Sequence, residues 1–308
     1  MTYDIYHHDD LDGRASAAIL TAFFRSRGDK VAQYIPVDFH MEKKWGTMKL
    51  SRPSVVVDFL YRPGLALYFD HHITSFRNYP HANTKRLPKG HFWDPHAPSC
   101  AGFVLTTLVK RFGFKPPLHF KELAKWVDIV DAARFVSARQ AIALKEPALQ
   151  LMSFIDWEVK QEKKLSWLVD AMSRFPLVRI AKDARVMRVM KRVYKERDKA
   201  LVFYKTHAQM FGKVVFIDLS HVHLLDARFA LYILAPRASY NVILKKFKGA
   251  YKLSVGTNPW RKPKHPVNIG KILTTYGGGG HKAAGGLTVP SIKEKEQIIR
   301  EIIAKLNS

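Results

Sequence analysis

At 308 residues the chain is long enough to bury a sizeable core and to hold two domains. Lys and Arg number 51 against 26 Asp and Glu, a net charge of +25, which favours polyanionic partners such as nucleic acid, nucleotides or polyphosphate; the alternative is a basic surface kept for solubility. No apolar run of about 18 residues is present, so no membrane span is expected, and Asp4 with the His7–Asp10 cluster interrupts any signal-peptide pattern. The single cysteine, Cys100, cannot form an internal disulfide, which fits a reducing cytoplasm and a packing role at a helix start.

The first half alternates short strand-like runs (3–6, 31–35, 55–57 and 66–69) with helical stretches (14–27, 99–111 and 120–130). That alternation predicts βαβ units, and hence an α/β fold whose N-terminal sheet is mostly parallel with flanking helices. Residues 75–98, rich in Pro, Asn, Gly and His, read as one long loop near the site. From 147 to 200 the pattern is helical and increasingly basic. Val186, Val189, Met190 and Val193 form an apolar stripe beneath Arg185, Arg188, Lys191, Arg192 and Lys195. We expect an N-terminal domain over 1–178, a basic linker helix over 179–200 and a smaller C-terminal α/β domain over 201–308. The latter shows strand-like runs at 214–217, 241–247 and 251–255 and helical ones at 225–234 and 267–276. A closing helix at 291–306 carries a capping box of Ser291 and Glu294.

The chemistry concentrates in acidic-histidine clusters at strand ends. His8, Asp10 and Asp12 lie in HHDDLDG, and continued strand alternation would put all three on one face with Asp9 and Leu11 elsewhere and His7 structural. Asp58 follows SVVV, and Asp70-His71-His72 follows LALYF. A lone Asp after a strand is usually a turn or cap residue; the ordered conjunction of clusters is what points to metal. Imidazole with several carboxylates suits two Mn²⁺ ions, with Mg²⁺ or Co²⁺ as alternatives, and Asp58 is placed to bridge them.

These motifs resemble those of the DHH phosphoesterase superfamily, in particular its RecJ-like and oligoribonuclease-like members. HHDDLDG is similar to that family's first motif, VVVDF to the second and LYFDHH to the third. WVDIVDAARF is similar to the fourth, with Asp128 and Asp131 as candidates and Asp131 the better match. The resemblance implies one ion held by His8, Asp10 and Asp58, and another by Asp12, Asp58, His71 and Asp131. It also implies that His72 sits beside the scissile phosphate and that Asp70 orients a histidine.

GGGGHKAAGG at 277–286 is similar to the signature of the DHH-associated domain. It assigns Gly278, Gly279, Gly280 and His281 to substrate binding, with Lys282 as a further charge. Many relatives carry an arginine where SVGTN stands here, so Arg261, Lys262 or Lys264 are substitutes, and Trp260 is either a stacking surface or a packing anchor.

The resulting expectation is a metal-dependent hydrolase. It would cleave phosphodiester bonds of short oligonucleotides or single-stranded nucleic-acid ends by two-metal activation of water, with domain closure excluding solvent. The alternatives are cyclic dinucleotides, nucleotide bisphosphates or polyphosphate as substrate, or a nucleic-acid-binding protein without turnover.

Overall fold

The computed structural model describes every residue except 162–164, 226, 228, 248, 281, 290 and 291, and the backbone alone of 39, 247, 292 and 293. In chain order the elements are β1 (Thr2–His8), α1 (Leu11–Ser26), β2 (Lys30–Val37), α2 (Glu42–Trp45), β3 (Ser54–Val57), β4 (Leu67–Asp70) and β5 (His91–Trp93). There follow α3 (Cys100–Phe112), α4 (His119–Asp131), α5 (Ala138–Ala143), α6 (Pro147–Val159), α7 (Ser166–Arg174), α8 (Leu177–Ala181) and α9 (Ala184–His207). The remainder is β6 (Gln209–Phe211), β7 (Val214–Leu219), α10 (Ala230–Leu234), β8 (Tyr240–Phe247), β9 (Ala250–Thr257), α11 (Ile269–Thr274), β10 (Gly279–Gly280), β11 (Ala284–Val289) and α12 (Ile292–Asn307). Two compact units result, residues 1–134 with 144–190, and residues 135–143 with 191–308. No helix among the described residues is long and apolar enough to cross a membrane.

The first unit is built on a five-stranded sheet of order β2-β1-β3-β4-β5, parallel at every pairing. Its strands are short apolar runs, as a sheet buried on both faces requires. Tyr6, Val56 and Tyr68 are neighbours across one face and pack with Trp45, Phe59 and Phe76. The other face is covered by α1 and α3, and α7 lies against α1. Sandwiched in this way, α1 is buried from Leu11 through Phe24. That explains the run of small residues in ASAAILTA, which lets neighbouring layers approach.

One charge lies inside that helix. Arg14 is 1% exposed and pairs with Asp9, so Asp9 serves the fold from just outside the ligand set. Removing one partner of a buried pair strands the other charge. Arg14→Ala should therefore lower the unfolding free energy by about 3 kcal/mol, read by chemical denaturation.

The second unit carries a mixed sheet of order β10-β11-β9-β8-β7-β6, antiparallel except between β7 and β8. Val242, Leu244 and Leu253 pack with Leu273 of α11 and Ile302 of α12, while Val215, Ile217 and Ile243 pack with Ala200 of α9 and Leu231 of α10. Trp260 belongs to the second cluster, edge-on to Phe229 and donating from its indole nitrogen to the Phe135 carbonyl at 2.9 Å. It is a packing anchor.

Several local expectations change. The loop over 75–98 contains β5, whose three residues pair with Tyr68, Phe69 and Asp70; a strand this short inside a Pro- and Gly-rich stretch has no periodicity to reveal it. The helical stretch from 147 resolves into α6, α7, α8 and α9, and α9 runs on to His207 with Val186, Val189, Met190 and Val193 buried along it. The helix expected over 225–234 shortens to α10, and the one over 267–276 to α11, capped by the Asn268 side chain accepting from Lys271 N at 3.0 Å. Strands β6, β10 and β11 were hidden, the last two because glycine has low strand propensity. The Ser291 of the expected capping box lies outside the described residues.

Candidate metal centre

In the strand order 2-1-3-4-5 the connections leave β1 in opposite directions, opening a crevice beyond the C-terminal ends of β1 and β3 where α/β proteins bind ligands. His8 ends β1, Asp58 follows β3 and Asp70 ends β4. The sequence places each acid or imidazole where its strand runs out, and the topology brings those ends together.

The route by which the first motif reaches the crevice differs from strand alternation. β1 stops at His8, and Asp10 is the N-cap of α1, its Oδ1 accepting from Gly13 N at 2.9 Å. Asp12 lies in the first helical turn. Gly13 is obligatory, because a Cβ there would lie 2.2 Å from the His8 carbonyl oxygen. His8, Asp10 and Asp12 therefore converge through a tight strand-to-helix turn and not along one strand face.

Among the described residues three groups of potential ligand atoms form, each with members within 4.8 Å of one another: His8, Asp10 and Asp58; Asp12, His71 and Asp131; and Asp58, His71 and His72. Asp58 and His71 each occur twice, so the groups are contiguous. Asp58 is 1% exposed and adopts a left-handed backbone, φ 59°, a conformation Asp tolerates and most residues avoid. Its amide donates to the Phe69 carbonyl at 2.9 Å, which fixes this turn against β4.

His71 gives the clearest electrostatic picture. Its Nδ1 lies 3.0 Å from the Ala97 carbonyl, which can only accept, so the proton sits on Nδ1. The Nε2 lone pair then faces Asp12 Oδ2 at 3.5 Å, Asp58 Oδ1 at 3.6 Å and Asp131 Oδ2 at 3.5 Å. Neither His71 Nε2 nor Asp58 Oδ1 has a hydrogen-bond donor although both atoms are buried. Four electron-rich atoms converging in this manner repel one another unless a cation lies among them. The donor set, imidazole nitrogen with carboxylate oxygen, fits a divalent ion of intermediate hardness.

Titration behaviour agrees. Burial pushes the Asp58 carboxyl well above the usual 3.8, reinforced by the neighbouring Asp12, Asp10, Asp70 and Asp131. Burial followed by Asp131 and Asp10 does the same for Asp12. Asp12 nonetheless accepts from two backbone amides at the start of α3, Cys100 N and Ala101 N, each at 2.7 Å. Burial also raises Asp131, partly offset by His71. Asp10 goes the other way: desolvation opposes its ionisation, but bonds from the His8 ring at 2.8 Å and from Gly13 N bring it down to about 2. Desolvation, reinforced by Arg14, lowers buried His7 to about 3, so it is neutral and structural.

Asp70 is fully buried and accepts from every side. Its Oδ1 takes the His72 Nδ1 at 2.9 Å and the His71 amide at 2.8 Å, and its Oδ2 takes the Tyr68 hydroxyl at 3.1 Å and the Ser75 hydroxyl. Burial disfavours charge on His72, but the Asp70 bond outweighs it and raises the ring above its ordinary value. Of the two fourth-motif candidates, Asp131 joins the cluster at the end of α4. Asp128 turns to the Ser99 hydroxyl at 2.5 Å, where α3 begins.

Sequence reasoning overlooked Asp38, which follows β2 and lies 4.0 Å from His8 Nε2. The signal was present: PVDF at 36–39 repeats the strand-then-Asp pattern of VVDF at 56–59. It also overlooked the α3 amides on Asp12, which no side-chain pattern discloses.

In the second unit the glycine run is partly a hairpin. Gly279 and Gly280 pair with Gly286 and Gly285. A Cβ on Gly278 would lie 2.6 Å from the Gly286 carbonyl oxygen, and one on Gly280, at φ 146°, 2.4 Å from that of Ala284. Close strand approach therefore accounts for glycine at 278 and 280. At Gly279 a Cβ would meet nothing within 4 Å, so packing gives no reason for glycine there. His281 lies outside the described residues.

Comparison with solved structures finds this fold elsewhere. The pGpG-specific phosphodiesterase PggH from Vibrio cholerae superposes with a TM-score of 0.75 at 19% identity, covering 99% of this chain and 99% of that one. An exopolyphosphatase-related protein from Bacteroides fragilis gives 0.56 at 13% identity, covering 99% and 92%. Exonuclease RecJ bound to manganese gives 0.56 at 15%, covering 99% and 90%. These likenesses establish a common fold running the length of the chain. No protein-family profile and no curated protein sequence matches.

Proposed function

We propose that this chain is a DHH-type phosphoesterase, dependent on two divalent ions, that hydrolyses phosphodiester bonds of short oligonucleotides or single-stranded nucleic-acid ends. The observation that carries the reading is the convergence of His71 Nε2 with the Asp12, Asp58 and Asp131 oxygens, His71 Nε2 and Asp58 Oδ1 being buried there without a hydrogen-bond partner. The shared fold with a phosphodiesterase and a manganese-bound exonuclease supports it, as does the charge of +25.

In this reading His8, Asp10 and Asp58 would hold one ion, and Asp12, Asp58, His71 and Asp131 the other. Manganese is the expected metal, with magnesium or cobalt as substitutes. When bound, such a pair supplies Lewis-acid activation of water and neutralises charge developing on the phosphoryl oxygens. The chain's own contribution is orientation. The Cys100 and Ala101 amides orient the Asp12 carboxylate, and the bond from the Asp58 amide to the Phe69 carbonyl fixes the turn that carries Asp58. Asp70 holds His72 through Nδ1 and favours its protonated form, leaving Nε2 to donate a hydrogen bond or a proton to the phosphate or leaving oxygen. Gly278, Gly279, Gly280 and His281 are the substrate-binding set in this reading.

The test is release of mononucleotide from a dinucleotide with manganese, alongside longer single strands, cyclic dinucleotides, nucleotide bisphosphates and polyphosphate. Binding without product under any divalent ion would leave a non-catalytic nucleic-acid-binding protein. Gly279 offers a separate check. Gly279→Ala should leave the thermal midpoint within about 2 °C, since its Cβ meets open space, while raising KM severalfold with little change in kcat. Gly280→Ala should unfold several degrees lower, because its Cβ meets the Ala284 carbonyl.

A further inference from the structure

The outer edge of the five-stranded sheet carries an open groove of about 920 Å³ along β5 and the loop before it. That volume falls in the roughly 300–1,000 Å³ range of ligand sites. Its floor is aromatic. The Phe92 ring stacks on buried Phe69 at 4.9 Å and meets Phe112 edge-on at 6.0 Å, and Phe112 is itself 37% exposed. Partly exposed aromatic faces backed by a packed ring are rigid platforms for another planar group.

Four cations surround this floor. Lys85, Arg86 and Lys89 come from the loop and Arg111 from the last turn of α3, and all four are exposed. No ion pair to any of them is found among the described residues, and the Arg111 guanidinium lies 5.5 Å from the Phe92 ring centre. The acid among the lining residues is Asp94, whose Oδ1 accepts from the His96 amide at 2.9 Å. Four cations lining one groove with a single carboxylate make it complementary to a polyanion. Phosphate would satisfy the cations, but the ring platform adds a demand for a flat, stacking group. Alternating phosphates and bases meet both demands.

Two residues that line the groove bond to the third motif. Trp93 Nε1 donates to the His72 carbonyl at 2.8 Å and Asp94 N to the Asp70 carbonyl at 3.2 Å, so the same strand that floors the groove braces the histidine loop. We propose that this groove is a track for single-stranded nucleic acid beyond the scissile phosphate, with a base on Phe92 and phosphates among Lys85, Arg86, Lys89 and Arg111. The inference rests on the phosphodiesterase reading and extends it: the strand is gripped over several nucleotides, not only at its end.

The test is fluorescence anisotropy with a labelled eight-nucleotide oligo(dA), in EDTA so that binding does not depend on the metal centre. Against the unaltered chain, R86E combined with K89E should weaken binding at least tenfold and reduce the salt slope by about 2. Phe92→Leu, which keeps an apolar floor without the stacking face, should weaken it about tenfold. Thermal unfolding of each variant verifies that the fold is intact. Equal affinity in the double variant, no binding by the unaltered chain, or equally effective competition by inorganic polyphosphate or poly-glutamate would each overturn the proposal. Manganese-dependent cleavage of a dinucleotide by the unaltered chain tests the underlying reading independently. Strand binding that the double variant loses, without such cleavage, would keep the groove and overturn the hydrolase.

Discussion

Replacing Asp58 by alanine is expected to reduce metal-dependent hydrolysis by on the order of 10³-fold or more. The carboxylate belongs to two of the three ligand groups, so its loss disturbs both proposed ions at once. Metal catalysis contributes several kcal/mol of transition-state stabilisation, and each 1.36 kcal/mol or so is tenfold in rate. Alanine also fits poorly at φ 59°, so Asp58→Asn is the sharper variant: it tolerates the left-handed turn and removes only the charge. Metal content by elemental analysis should fall in both variants while circular dichroism is unchanged. A variant that keeps two ions per chain and full activity would remove Asp58 from the centre.

Adding manganese should raise the thermal midpoint by about 5–10 °C at a hundredfold excess over Kd, and the gain should grow with pH. The magnitude follows from linkage, about 2.7 kcal/mol at that excess, and from the midpoint shift of about 2–4 °C per kcal/mol for units of this size. The pH dependence follows from the raised carboxyls. Asp12 and Asp58 titrate above their unfolded value of 3.8 in the metal-free chain, so their contribution is intact below that value and is lost as pH rises through the folded values. His8 and His72, held above their ordinary value by Asp10 and Asp70 against desolvation, act in the same direction. The metal-free chain should therefore melt lower at pH 8 than at pH 5.5, and manganese should close the gap. Scanning calorimetry at the two pH values, with and without the ion, decides this; a metal-independent midpoint would contradict the proposed centre.

Much of the α/β organisation was legible because the strands of the first unit are bounded apolar runs. The Asp and His that end them are conspicuous against so basic a chain. His8 at the end of TYDIYHH, Asp58 after SVVV and His71 after LYFD stood out because each sits at a fixed offset from such a run; the grouping of all six ligand candidates, Asp131 on a helix among them, came from the resemblance to the DHH motifs. What the sequence obscured was geometry set by tertiary contact. Asp12 reaches the crevice because α1 starts immediately after its N-cap Asp10, and a period-two extrapolation cannot register a turn made by Gly13. Asp128 and Asp131 share a helix face and similar neighbours; they part only because Ser99 arrives from α3 to engage one of them. Strand β5 is too short for periodicity and is defined by its pairing with β4. The glycine hairpin reads as a loop in one dimension because close backbone approach, its reason for being glycine, belongs to a partner strand.

The spread of the centre along the chain bears on synthesis. Its side chains begin at His8 and end with Asp131, and two further anchors of Asp12 are amides that exist only once α3 has formed. A polypeptide emerging from the ribosome thus exposes its first carboxylates long before the last arrives. On the proposed reading, capture of the ions waits until residue 131 has emerged, with residues 144–190 of the same unit still to follow, and truncation anywhere before residue 131 should yield a product unable to hold both proposed ions.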